Sequence, residues 1–87
     1  MAGLDDQTDS GGQPAPILNE VPVPDRKRQR PLDHEIPVRA RIVRHSGEEF
    51  HESVAFAEAP GMILVLWHDP GRPRLGVWLA NEDVERL

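Results

Sequence analysis

The groups available for chemistry in this 87-residue chain are hydroxyls, one amine, imidazoles and carboxylates, because there is no cysteine. The nucleophile candidates are Thr8, Ser10, Ser46, Ser53 and the single lysine, Lys27. General acid–base work needs two titratable groups held together in a cleft. His68 and Asp69 are adjacent, yet neighbours on a strand point to opposite faces, so spacing makes them no dyad. A small domain also has little room for an enzyme pocket, which takes roughly 300 Å³ or more. The expectation is a non-enzymatic protein with no catalytic residue and no cofactor. Metal chemistry is weighed on the four histidines, His34, His45, His51 and His68. Zinc sites show recognisable ligand spacings, and these histidines have none. Only His45 and His51, flanking a hairpin loop with Glu48 and Glu49 nearby, can approach each other. No metal ligand is assigned.

Two other groups of residues suit binding. Arg26, Lys27, Arg28 and Arg30 form a basic knot, and Arg39, Arg41 and Arg44 on the following strand can extend it. Clustered cations neutralise phosphates and give salt-dependent affinity for nucleic acid. Opposing this are the net charge of −5 and the acids Glu48, Glu49, Glu52 and Glu58, since net charge governs long-range steering. The aromatics are Phe50, Phe56, Trp67 and Trp78, few for base stacking. Both tryptophans are expected in the core of so small a domain.

The elements that position these residues occupy the second part of the chain. Residues 1–35 hold five of the nine prolines, no aromatic and only scattered aliphatics. Such a stretch cannot bury enough surface to offset an ordering entropy of about 1–2 kcal/mol per residue. It is expected to be a disordered, Pro-rich tail, with Pro14-Ala-Pro16 and Pro22-Val-Pro24 extended. Its charge is segregated, with only acids through residue 24 and the basic knot after them. The longest apolar run, residues 62–67, is too short for a membrane span of roughly 20 residues. The start of the chain lacks the basic and apolar stretches of a signal peptide, so a cytoplasmic address is expected.

Residues 36–44 alternate, with Ile36, Val38, Ala40 and Ile42 on one face and Arg39 and Arg41 on the other. A three-residue loop, His45-Ser46-Gly47, would pair Ile42 with Phe50, Val38 with Val54 and Ile36 with Phe56. That register leaves Glu52 facing inward opposite Ala40, at a cost unless a bulge turns it out. Pro60-Gly61 predicts a type II turn. Residues 62–68 form the strongest strand, apolar on both faces. Residues 69–73 make a second turn. A fourth strand, 74–79, pairs with the third so that Ile63 meets Leu79 and Val65 meets Val77. Leu64 then meets Trp78 on the opposite face. Asn81 is a plausible cap for one helical turn before a short last strand through Val84 and Leu87.

Four or five short antiparallel strands, ending in one helical turn and a terminal strand, resemble a small SH3-like β-barrel over residues 36–87. The expected fold class is mostly β, a small SH3-like barrel or curled sheet behind the tail. The peptide-binding SH3 family presents a tyrosine-rich groove, and this chain has no tyrosine, so no binding residue is carried over. A hairpin apolar on both faces needs cover from barrel closure, the tail or another chain. That surplus makes a protein-interaction or regulatory module the first expectation. Leu64, Leu66 and Trp78 are its anchors, and a protein partner or homodimer its binding mate. Nucleic-acid binding through Arg26, Lys27, Arg28, Arg30, Arg39 and Arg41 is the alternative.

Overall fold

The computed structural model describes residues 16–68 and 75–87. Expectations placed on residues 1–15, on the turn at 69–73 and on Arg74 lie outside the described residues. The strands are β1 (Arg30–Arg44), β2 (Gly47–Ala59), β3 (Met62–Leu66), β4 (Gly76–Ala80) and β5 (Val84–Arg86). They form one antiparallel sheet in the order β4-β3-β2-β1-β5. The first four make a meander. A 3₁₀ turn, Asn81–Asp83, then carries the chain across to β1, where Val84 pairs with Ala40 and Arg86 with Val38. The fold is mostly β, and among the described residues no ladder joins β4 to β5, so the sheet is not closed.

The expected helical turn and last strand are present, but Asn81 is not the cap. Ala80 holds that position without a side-chain hydrogen bond, and the Asn81 N–H donates to the Gly61 carbonyl at 3.1 Å. Pro60 and Gly61 link Ala59 to Met62, with Gly61 at φ 78°, the positive value that the Pro-Gly turn requires. The β3–β4 register also follows the sequence: Ile63 opposes Leu79, Val65 opposes Val77, and Leu64 opposes Trp78.

The core lies on one face of this sheet. Val38, Ala40 and Ile42 from β1, Ala55 from β2, Ile63 and Val65 from β3, and Val77 and Leu79 from β4 are buried together. Alternation puts them there, because residues two apart on a strand share a face.

The β1–β2 hairpin corrects the expected register by one residue. Arg44 opposes Gly47, so the loop is His45-Ser46, and Ile42 opposes Glu49 while Arg41 opposes Phe50. Glu52 therefore points outward beside Arg39, 3.5 Å from its guanidinium, and Phe50 is turned to solvent at 59% exposure. Leaving a Phe exposed forgoes roughly 1.5–3 kcal/mol, whereas an unpaired carboxylate in mid-sheet costs more. The shifted register brings Glu49 to the core side in place of Glu52. There, near the end of the hairpin, Glu49 stays half-exposed and has Arg44 within 3.6 Å.

The boundary of the ordered chain also differs from expectation. β1 begins at Arg30 rather than Ile36, and a register shift between Pro31 and Ile36 absorbs the extra residues. Ile17 is buried in the core at 7% exposure. Residues 17–21 run from one edge of the sheet to the other. The Leu18 N–H donates to the Val43 carbonyl at 2.7 Å, Glu20 bridges to Leu79, and the Val21 N–H donates to the Trp78 carbonyl at 3.0 Å. Few aliphatic residues suffice because the segment makes no core of its own. It satisfies strand-edge groups that would otherwise lack protein partners and adds Ile17 to a core already formed.

Candidate interaction face

The sheet has a second apolar face, produced by the same alternation that makes the core. Leu64 and Leu66 of β3 and Trp78 of β4 lie on it, opposite in sense to Ile63, Val65, Val77 and Leu79. A bulge at Phe56 joins them: Ala55 opposes Val65 while Ala57 opposes Leu64, so Phe56 is the extra residue. Its ring borders a groove of about 360 Å³ together with Leu64, Leu75, Trp78, Val23 and Gln29. Gly76 forms part of the floor, where an added Cβ would stand 2.9 Å from Leu64 Cδ1.

Residues 21–24 cover part of this face. Pro22, Val23 and Pro24 border a second groove, of about 320 Å³, against Ala59, Pro60 and Met62. The segment is held by the Val21–Trp78 backbone bond and by Gln29, whose Nε2 donates to the Pro24 carbonyl at 2.8 Å. Trp78 is buried at 3% exposure, as expected for a tryptophan in so small a domain, so it borders the groove rather than standing out as an anchor. Its ring borders the groove beneath Val23, part of the strap that residues 17–24 lay across the sheet. Leu66, Leu75 and Val23 remain open at 41%, 60% and 46%. Of the three expected anchors, Leu64 and Trp78 border the groove and Leu66 is exposed beside Gly76 on the same face. Sequence reasoning missed Val23, Gln29, Phe56 and Leu75. The Pro22-Val-Pro24 spacing was the available signal, since an extended segment has no core of its own to fill.

The cations separate into two populations. Arg39 lies between Glu52 at 3.5 Å and Glu85 at 3.1 Å, and Arg41 between Glu48 at 2.7 Å and Asp83 at 2.9 Å. Hydrogen bonds to Glu48 and then Asp83 raise the Arg41 pKa further above its ordinary value. By contrast, Arg26, Lys27 and Arg28 form an exposed 3₁₀ turn and make no ion pair among the described residues. Arg30 is 3.8 Å from Glu58, with a largely exposed side chain. The basic knot and the strand arginines therefore do not make one continuous free patch.

Two of the candidate chemical residues, Ser53 and His51, are occupied in structural contacts. Ser53 Oγ donates to the Leu66 carbonyl at 2.8 Å. His51 Nε2 meets Glu49 Oε1 at 2.7 Å, and the imidazole packs edge-on to Trp67 at 4.8 Å. Arg44 lies over the same indole at 5.8 Å. His45 stands exposed in the hairpin loop, and among the described residues no three His, Asp or Glu side chains gather as a metal site. No helix among these residues is long and apolar enough to cross a membrane.

Compared with models of known protein families, with curated proteins and with solved structures, the chain matches none. The fold and the two-population charge pattern are the basis for any functional reading.

Proposed function

We propose that this chain is a non-enzymatic protein-interaction module of the small SH3-like barrel type, binding a partner through its second apolar face. The connectivity supports the architectural part: a four-strand meander, one 3₁₀ turn, and a last strand returned to the first. One observation carries the functional part. The face bordered by Phe56, Leu64 and Trp78 keeps an open groove even after residues 21–24 are laid on it. A groove of about 360 Å³ lies at the small end of ligand pockets, which span roughly 300–1,000 Å³. It accommodates a few side chains of a partner.

The test uses exposed residues, so that folding is preserved. Leu66→Asp and Leu75→Asp should each abolish retention of a purified partner that the wild-type chain holds, while Phe50→Ser should leave it unchanged. Retention that survives both aspartates refutes the reading. Light scattering on the same proteins separates a second copy of the chain from a different partner. Of the six residues named for the nucleic-acid alternative, Arg26, Lys27, Arg28 and Arg30 remain, because Arg39 and Arg41 each lie between two carboxylates.

A further inference from the structure

Three further features of the molecule could bear on binding. In the Arg44–Glu49–His51–Trp67 group the charged side chains and the imidazole pair with one another, while the buried Trp67 Nε1–H has no acceptor among the described residues, and the cations bordering the hollow beside Phe50, Arg39 and Arg41, are already ion-paired. The third is the basic 3₁₀ turn, whose cations lack partners among the described residues. Its position gives it meaning. Gln29, next after the turn, lines the first groove; Arg28 lines the second; and Val23 lines both. The cations therefore stand at the end of the apolar face, joined to it through one short stretch of chain.

We infer that the partner segment is extended, carries aliphatic or proline side chains for the groove, and bears acidic residues beside them that meet Arg26, Lys27 and Arg28. This rests on the reading of the second face as the docking face and adds the chemistry of what docks there.

Two observations fix that chemistry. The chain's own Pro22-Val23-Pro24, which belongs to no helix or strand, already lies against this face, with Val23 bordering both grooves, so the surface accepts a segment of that type. Proline suits such a segment because its backbone is already restricted and loses less freedom on binding. Charge supplies the second part. Arg39 and Arg41 are neutralised, while the turn cations are exposed and make no ion pair among the described residues, and Arg28 borders the second groove. Complementary charge at the rim sets orientation and raises the on-rate. A nucleic acid fits less well, because Trp78 at 3% exposure offers no free ring for a base.

The experiment is a selection of random displayed peptides against the full chain, with each enriched peptide mapped by chemical-shift changes. Enriched sequences should join an aliphatic or proline run to Asp or Glu. They should shift Leu64, Leu75 and Gln29, and bind the Lys27→Glu/Arg28→Glu chain about tenfold more weakly, as rim charges do when reversed. Peptides that fill the groove without acids, or that bind the double variant equally well, overturn the inference and leave the docking face standing. No enrichment, or peptides that shift only residues around Phe50, removes both. A single-stranded oligonucleotide that displaces the peptides from the turn also overturns it. So does tighter peptide binding by a chain carrying Asp5→Asn, Asp6→Asn and Asp9→Asn, because the chain's own acids would then be the occupant.

Discussion

The carboxamide of Asn19 takes the place of a strand residue beside Val43. Its Oδ1 accepts the Val43 N–H at 3.0 Å and its Nδ2 donates to the Arg41 carbonyl at 2.8 Å, while the neighbouring Leu18 N–H donates to the Val43 carbonyl. β5 pairs β1 only along Val38, Arg39 and Ala40, so this side chain continues the edge where the strand stops. Asn19→Ala leaves both β1 groups without these partners. It should cost about 1–2 kcal/mol, the usual cost of an unsatisfied donor or acceptor. Asn19→Asp should cost more, because a carboxylate oxygen then faces the Arg41 carbonyl. Urea denaturation of the two variants measures the difference, and an Asp variant as stable as wild type would remove this role.

Phe50 and Ile42 make an instructive pair, because the sequence alone pairs them and the structure does not. Ile42 is fully buried and Phe50 is 59% exposed. Ile42→Ala should cost about 2–5 kcal/mol. That is a large share of the roughly 5–15 kcal/mol that holds a domain folded. Phe50→Ser should stay within about 0.5 kcal/mol, as surface changes do. Equal losses in denaturant would restore the register that pairs them.

Much of this architecture was legible from residue order. The Pro60-Gly61 turn, the β3–β4 register and the final 3₁₀ turn with its short strand follow from turn chemistry and from apolar runs on both faces. The first hairpin was not, because pattern matching rewards apolar pairs and places no weight on where Glu49 and Glu52 find counter-charges. The strap escaped notice for a different reason. Ile17 and Asn19 gain their energy from a sheet edge formed by residues far along the chain, and no local composition records that. On the candidate face, Leu64 and Trp78 were readable as a cross-strand pair, but the Phe56 bulge that completes the groove has no sequence signature.

Arg41 links three elements, since Glu48 comes from β2 and Asp83 from the 3₁₀ turn before β5. Its pKa is raised by those bonds. A cation whose folded value exceeds its unfolded value contributes stability that is complete below the unfolded value and is lost only as pH rises through the folded one. The Arg41 contribution should therefore be flat from neutral pH through the alkaline range and disappear only beyond the ordinary arginine value. Salt, not base, should reveal it: coupling between Arg41→Met and Asp83→Asn in a double-mutant cycle should shrink as ionic strength rises. A coupling lost near pH 9 would contradict the assignment.

Gly76 keeps the groove open. A methyl there would meet Leu64 Cδ1 at 2.9 Å and Phe56 Cζ at 3.3 Å. Leu64 Cδ1 is the end of a rotatable side chain, so Gly76→Ala should be absorbed by a leucine rotation at about 1 kcal/mol. Gly76→Val should cost about 1–3 kcal/mol, in the range of overpacking. Both should fill the groove and weaken any ligand of this face. Thermal melts together with peptide titrations check the two effects, and an Ala variant that binds unchanged would show that the groove floor is not where ligands sit.

The strap should behave as one cooperative unit, because one buried side chain anchors bonds at both sheet edges. Ile17 is buried at 7% exposure; Leu18 and Asn19 hold β1, and Glu20 and Val21 hold β4. In native-state hydrogen exchange the amides of Leu18, Val21 and Val43 should share one opening free energy. It should lie below that of the β3–β4 ladder, since a unit with few buried contacts opens before the global transition. Ile17→Ser removes the anchor and sets a hydroxyl in an apolar site. It should accelerate exchange at all three amides together while Ile63 and Val65 keep their protection. Exposure of Trp78 should rise in step, because the Val21 bond to its carbonyl opens and Val23 lifts from the groove, and a red shift in tryptophan emission would report it. Exchange of Leu18 and Val21 at free-chain rates in the wild-type protein would mean that the edges of the sheet are not stapled in solution.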